Sequence, residues 1–416
     1  MNKITLVNTI IALIFTLSYC YQFVYIPISI FKKEKPHRSA PKPHRYAVLI
    51  AARNEAPVIA QLIESLKHQT YPAELVSIFV IADNCTDNTA ELARACGAEV
   101  IERFNTVQIG KGYALDCLLQ HIQSTYGSDA FDGFFVFDAD NVVEPNYIDE
   151  MNRTFSDGYR IVTSFRNSKN YGDSWISAGN SMWFLRDSQF LNRARMRIGS
   201  SCIVSGTGFL VHRDVLLEAG GWKYFLITED TQFTVCQILK GEKIGYCEHA
   251  VFYDEQPVKF AASWKQRMRW ARGGWLVFRE YGARLLHSMT HQFSSFDMFM
   301  SFFPAMILSA LALVWNVVCI VLTFIEGRDV AELALSVGKL LGSTYLLFFV
   351  VGLIATVSEW KRIYCATRKK ILYMFTFPLF MMTYIPMPLF AIFKKVEWKP
   401  IPHERVRSLS DVRTDK

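Results

Sequence analysis

Two hydrophobic patterns alternate along this chain. Near the ends apolar residues run unbroken; in the middle they form short runs separated by segments of helical spacing. Residues 4–30 carry no charged side chain. At about 1.5 Å of rise per residue, a helix of that length spans the roughly 30 Å of bilayer hydrocarbon. Lys3 is the only basic residue before this run and no Ala-x-Ala site follows it, so the run is expected to persist as a span rather than be cleaved as a signal peptide. Two more apolar runs, 296–325 and 333–357, flank a short loop at 326–329. A fourth, 371–393, contains Pro378, Pro386 and Pro388. Four crossings would put the tail after Phe393 on the far side from the middle of the chain, yet that tail is rich in Lys and Arg. The prolines allow a re-entrant or doubled final segment instead.

From Tyr46 the period changes. Residues 46–52, 76–82, 99–102 and 134–137 read as short apolar strands. Between them, 57–69 has helical spacing with Pro57 at a plausible first helical position. Thr86 or Asp87 can cap a helix ending at Gly97, and 113–123 predicts a third helix. This alternation predicts an α/β domain with a mostly parallel sheet covered on both faces. Ligands in such sheets sit at the carboxyl ends of the strands. Asp83 and Asp138 both fall there.

After Val258, the residues Phe260, Trp264, Met268, Ala271, Trp275 and Phe278 form one stripe at steps of three and four, ringed by Lys265, Arg267, Arg269, Arg272 and Arg279. The stripe predicts an amphipathic helix in the membrane interface, bent or broken at Gly273-Gly274. An ordinary amphipathic surface helix has the same pattern. The organisation is therefore a span in 1–31, a basic linker in 32–45, a globular domain in 46–258, interface helices in 259–293, a membrane region in 294–393 and a basic tail in 394–416.

Composition sharpens this. The 51% of hydrophobic residues and the 32 phenylalanines concentrate at the ends, which argues for membrane rather than a large soluble core. None of the nine cysteines forms a Cys-x-x-Cys pair; this argues against zinc and fits a reducing cytosol. The net charge of +7 lies largely beside the apolar runs, so it reads as membrane orientation and not as nucleic-acid binding. Lys32, Lys33, Lys35, Arg38, Lys42 and Arg45 directly follow the first run and place the central domain in the cytoplasm, at the cell membrane. Pro36, Pro41 and Pro43 stiffen that linker.

Several residues can carry chemistry. Asp138-Ala-Asp140 closes the run Gly133-Phe-Phe-Val-Phe, placing two carboxylates at a strand end. They can hold Mg²⁺ or Mn²⁺ and, with it, a diphosphate leaving group. Asp230, in Ile227-Thr-Glu-Asp, is a candidate base for an acceptor hydroxyl. Glu229 and Asp230 equally suit the N-terminus of a helix, and the two roles coexist. Lys111 lies between two glycines ahead of a helix, a place for a phosphate or a base edge, although Gly-Lys-Gly is also a common turn. Arg269 can meet a diphosphate as a planar fork, and Trp270 offers a flat face to a sugar. Ser205-Gly206-Thr207-Gly208 is a small-residue loop that would let a sugar approach the backbone, or a plain turn.

In order, these motifs are Ala51-Ala-Arg53-Asn-Glu55, Ala82-Asp83-Asn-Cys-Thr-Asp87, Gly110-Lys-Gly112, Asp138-Ala-Asp140, Ser205–Gly208, Thr228-Glu-Asp230 and Gln266-x-x-Arg269-Trp270. The set, over about 46–280, resembles the family-2 glycosyltransferases. It is most similar to the membrane-embedded synthases of cellulose, hyaluronan, chitin and poly-N-acetylglucosamine and to exopolysaccharide glucosyltransferases. The resemblance implies a nucleotide-diphospho-sugar transferase (type A glycosyltransferase) fold and an inverting mechanism. It implies donor binding by Ala51, Arg53, Glu55, Asp83, Lys111, Asp138, Asp140 and Arg269, with Asp138 and Asp140 also at the metal. It makes Asp230 the base, with Glu229 beside it, and gives acceptor contacts to Ser205, Gly206, Thr207, Gly208, Gln266 and Trp270. The loop at 205–208 lacks the cysteine of cellulose synthases, and Ala51-Ala-Arg stands where proline is frequent. The tail 398–403, Trp-Lys-Pro-Ile-Pro-His, resembles one that some synthases fold near the active site. The implied activity is metal-dependent, processive extension of a β-linked glycan from a nucleotide sugar; the rival reading is one sugar passed to diacylglycerol or a polyprenol carrier. So few spans would need a membrane partner or a second copy to enclose a channel.

Overall fold

The computed structural model describes residues 3–37, 40–327, 330–394, 403 and 405–414. Arg38, the loop residues Arg328 and Asp329, and residues 398–402 of the tail motif lie outside the described residues.

Eight strands form one sheet: β1 (Tyr46–Ala52), β2 (Val76–Asp83), β3 (Glu99–Arg103), β4 (Gly133–Asp138), β5 (Val142–Val143), β6 (Ile161–Ser168), β7 (Phe209–His212) and β8 (Ile244–Asp254), in the order β3-β2-β1-β4-β7-β6-β8-β5. The first four are parallel; β7 runs antiparallel to both β4 and β6, and β5 antiparallel to β8. The helices are α1 (Lys3–Phe31), α2 (Ile59–Lys67), α3 (Thr89–Ala95), α4 (Lys111–Tyr126), α5 (Tyr147–Ser156), α6 (Trp175–Arg186), α7 (Arg193–Ile198), α8 (Arg213–Ala219), α9 (Glu229–Leu239), α10 (Phe260–Ser288), α11 (Phe293–Ile325), α12 (Val330–Ser358), α13 (Thr367–Met382), α14 (Met387–Phe393) and α15 (Leu409–Thr414). A π turn, Asp187–Asn192, joins α6 to α7.

Strand alternation builds two cores. Along β1, Ala47 and Leu49 pack with α4 and α6, whereas Tyr46, Val48 and Ile50 pack with α2 and α5. The register pairs Ala51 with Asp138 and Ala52 with Ala82, so β1, β2 and β4 end together on one edge. That edge carries the acidic motifs. Asp87, not Thr86, supplies the oxygen at the start of α3, accepting from the Thr89 amide at 3.1 Å.

Four stretches are long and apolar enough to cross a membrane: 4–31, 293–325, 333–358 and 367–393. The last is doubled. α13 inserts Phe377 and Phe380 into the core that also holds α4 and α6, and Lys369 Nζ donates to the Gly172 carbonyl at 2.7 Å. After the break around Pro386, α14 lies along α10, and residues 403–414 return to the sheet domain. Residues at the start of this stretch and beyond its end thus contact the sheet domain.

α10 departs from expectation twice. It runs unbroken through Gly273-Gly274. Its stripe is partly covered by protein: Met268 packs with Met387 and Ala391, Trp275 Nε1 donates to the Pro388 carbonyl at 2.7 Å, and Phe278 meets the Phe303 ring at 4.8 Å, while Phe260 stays exposed. Periodicity identifies the buried face of a helix but not what buries it. Here α14 and α11 take the place expected for lipid.

Candidate active site

The site forms where β1, β2, β4, α4, α9 and α10 converge. Lys111 is the first residue of α4, not a residue ahead of it. Its buried Nζ bridges the Asp138 carboxylate and, at 2.7 Å, the Gly206 carbonyl. Burial opposes the ammonium charge, but Asp138 and Glu229 more than offset this and raise its pKa. Gly112 is obligatory at the next position, because a Cβ would lie 2.1 Å from the Tyr224 carbonyl oxygen.

The loop 205–208 is fixed from below. The Thr207 hydroxyl accepts from the Asp138 amide at 2.8 Å and donates to Asn141. Thr207 is 2% exposed, and a Cβ on Gly208 would fall 2.3 Å from Phe252. Ser205 and Gly206 therefore line the cavity, whereas Thr207 and Gly208, expected to touch the acceptor, lie beneath it and hold the loop.

Glu229 and Asp230 occupy the first turn of α9 rather than its cap. Burial and the neighbouring Asp230 push Glu229 up to about 7, and burial likewise raises Asp230. Across them, Arg269 has its pKa lowered by burial against the opposing pull of Glu229, Asp138 and Asp230. Gly273 permits this approach of α10 to α9, since a Cβ there would lie 2.3 Å from Thr228. Trp270 and Gln266 face the same cavity; Trp270 meets Phe184 edge-on at 5.9 Å, and Gln266 has a buried Oε1 with no hydrogen-bond partner among the described residues.

Ala51, Arg53, Glu55, Asp83, Asp138 and Asp140 line the opposite wall. Asp83 is buried and held by Arg103 at 2.5 Å. Asp140 accepts from the Glu255 amide at 2.9 Å and from Asn141 at 3.2 Å. His403 lies between two of these acids, 2.9 Å from Glu55 and 4.0 Å from Asp140. Burial disfavours its charge, but Asp140 and Glu55 prevail and push it up to about 10. Burial in turn pushes Glu55 up to about 6. The carboxylate oxygens of Glu55, Asp138 and Asp140 are the donor type that Mg²⁺ or Mn²⁺ takes, and His403, held as a cation, sits among them.

Sequence reasoning missed Arg166, whose guanidinium binds Asp254, donates to the Ser205 carbonyl at 2.9 Å and lies 3.5 Å above the Phe184 ring. It stands near the end of β6, so the strand-end rule that singled out Asp83 and Asp138 finds it once 161–165 is read as a strand. Lys169, 2% exposed and with no hydrogen-bond partner for Nζ among the described residues, was also missed, as was Arg103; neither stands in a recognisable motif.

Arg166, Lys111, Asp138, Asp140, Asp230 and Arg269 line one cavity of about 1440 Å³ that continues from the acidic edge to α1, α11 and α12. Comparison with known proteins agrees with the geometry. The chain is 24% identical over 330 residues to "Probable glycosyltransferase YdaM" of Bacillus subtilis, covering 73% of this chain and 71% of that protein. It is 28% identical to the beta-monoglucosyldiacylglycerol synthase of Nostoc, covering 64% of this chain and 57% of the relative. It is 25% identical to the poly-beta-1,6-N-acetyl-D-glucosamine synthase of Staphylococcus aureus, covering 58% and 57%. The chain thus spans under two thirds of the length of the latter two. The solved structure of the mannosyltransferase PcManGT from Pyrobaculum calidifontis, in complex with GDP-Man and Mn²⁺, superposes with a TM-score of 0.55 over 93% of this chain and 99% of that one; at 16% identity this speaks to the fold. The family model for "Glycosyltransferase like family 2" matches residues 43–273, more than half of the chain, and the protein is a member of that family.

Proposed function

We propose that the enzyme is an inverting, metal-dependent glycosyltransferase that takes a sugar from a nucleotide donor, UDP-linked, on the sheet side and passes it to an acceptor presented from the membrane side. The observation that carries this reading is the single cavity shared by Asp138, Asp140, Lys111, Arg269 and Asp230 and by the membrane helices. Ala51, Arg53, Glu55 and Asp83 are assigned to the nucleoside end. Asp138 and Asp140 would hold a divalent ion, which neutralises the leaving diphosphate. Lys111 and Arg269 add protein cations on that side. Asp230 takes the proton from the acceptor hydroxyl while the hydroxyl oxygen bonds to the anomeric carbon; the bond from that carbon to the diphosphate oxygen breaks on the opposite face. Burial, which raises the Asp230 carboxyl above its ordinary range, supports it as a base. A growing β-linked glycan, extended processively, and the hydroxyl of a single lipid both satisfy this chemistry and differ in what lies behind the acceptor.

The test is Asp230→Asn in nanodiscs. Turnover should fall by at least about 10²-fold, the scale of general-base loss, while UDP affinity by calorimetry stays unchanged. EDTA should stop transfer and Mn²⁺ or Mg²⁺ restore it. Near-normal turnover in the variant, or full activity in excess chelator, would overturn the corresponding assignment.

A further inference from the structure

The cavity does not end at the acidic edge. It follows α11 from Ser301 to Ile320, about 28 Å at 1.5 Å per residue, close to the roughly 30 Å thickness of bilayer hydrocarbon. It follows α1 from Thr9 to Ile26 and α12 from Val337 to Ile354 over similar lengths. Its volume of about 1440 Å³ exceeds the roughly 300–1,000 Å³ of an ordinary ligand site. The walls between these helices are mostly apolar, with Phe15, Leu308, Ala312, Leu313, Leu347 and Val351 facing the space, and carry scattered polar side chains such as Thr16, Gln22, Ser309, Asn316 and Thr344. Leu13 and Leu346 line the cavity and are also 56% and 61% exposed, so the wall opens sideways onto the surroundings of the membrane helices.

A sugar chain threaded through this space would bring several hydroxyls per residue against hydrocarbon, each unpartnered group costing about 1–3 kcal/mol. A hydrocarbon tail meets no such cost and can enter from the side. At the catalytic end Asp230 is placed as a base, which a neutral hydroxyl needs and an already ionised phosphate does not. Building on the transferase reading above, we infer that the acceptor is a neutral lipid alcohol of the diacylglycerol type, with its hydroxyl at Asp230 and its hydrocarbon between α1, α11 and α12. Each turnover then forms one glycosidic bond to the lipid oxygen, releases the nucleoside diphosphate, and leaves the proton on Asp230 to pass to solvent. The product leaves by the lateral opening, and no glycan need cross the membrane.

The experiment uses the full chain in nanodiscs with radiolabelled UDP-sugars and three acceptors: dioleoylglycerol, a polyprenyl monophosphate and a soluble oligosaccharide. The expected product is a lipid-extractable, singly glycosylated dioleoylglycerol. Ala312→Trp, which fills the groove away from the acidic edge, should lower this transfer at least tenfold while UDP affinity and slow donor hydrolysis persist; Ala312→Val should have a smaller effect. Preferential labelling of the polyprenyl phosphate, elongation of the oligosaccharide, or undiminished lipid transfer by Ala312→Trp would overturn the lipid-alcohol assignment. Absence of both UDP binding and donor hydrolysis in the unaltered protein would instead overturn the transferase reading, and this inference with it.

Discussion

Gly273→Ala isolates the junction between α9 and α10. The added methyl would lie 2.3 Å from both Cγ2 and Oγ1 of Thr228 and 2.8 Å from its Cβ. Rotating the threonine moves the first two atoms but not Cβ, which is fixed by the backbone. Reaching an ordinary carbon contact of about 3.5–4.0 Å therefore requires the helices to separate by about 1 Å. Thr228 immediately precedes Glu229 and Asp230, and Arg269 and Trp270 lie one turn before Gly273 on α10. The displacement thus falls between the proposed base and the proposed diphosphate and sugar contacts. A misplacement of this size costs on the order of 10²-fold in rate. Helix propensity acts in the opposite direction, since Ala is about 1 kcal/mol better than Gly in a helix interior. Gly274→Ala gains the same propensity, but its new Cβ would have only Met306 Sδ nearby, at 3.7 Å. Steady-state transfer and thermal unfolding should be measured on both variants. The expected result is a loss of turnover of about 10²-fold for Gly273→Ala with the fold intact, and near-normal turnover for Gly274→Ala. Equal activity in the two would refute the claim that close helix approach sets the site.

Two further outcomes follow from the electrostatics and the tail. Burial raises Glu229 from the ordinary 4.5 to about 7 in the folded protein, so its stabilising contribution is full below 4.5 and is lost as pH rises through about 7. Glu229→Gln should flatten this part of the stability–pH curve, and an unchanged slope would reject the assignment. Val412 is 1% exposed on α15, and Arg413 pairs with Glu144 beside it; Val412→Asp buries an unpaired charge and should expose residues 403–414 to limited proteolysis, with unchanged protection as the contrary result.

The parallel half of the sheet was legible because its strands are short apolar runs buried on both faces, each followed by a helix of clear period. Lys111, Asp138 and Asp230 were legible for the same reason: each sits where one of these elements begins or ends. Between 141 and 227 that logic gives little guidance. β7 is four residues long, α6 is buried on most sides, and the chain runs through a π turn. Arg166 was hidden in this stretch. Thr207 and Gly208 show a different limit. A small-residue loop can be read from sequence, but only the fold shows that Thr207 spends its hydroxyl on the Asp138 amide and Asn141.

The membrane-side packing bears on function. Apolar side chains carry no label for their partner, so the α10 stripe and the fourth apolar run can each be read against lipid or against protein. In the fold α14, the end of that run, packs on the stripe through Met387 and Ala391. Of the four candidate spans, α1, α11 and α12 border the length of the cavity, and the tail reaches the sheet domain, where His403 meets Glu55. The same arrangement seats α10 against α9 on one side and α14 on the other. Among the described residues the space between α1, α11 and α12 is lined mostly by hydrocarbon, where a lipid tail is a better-matched occupant than a hydrated sugar chain.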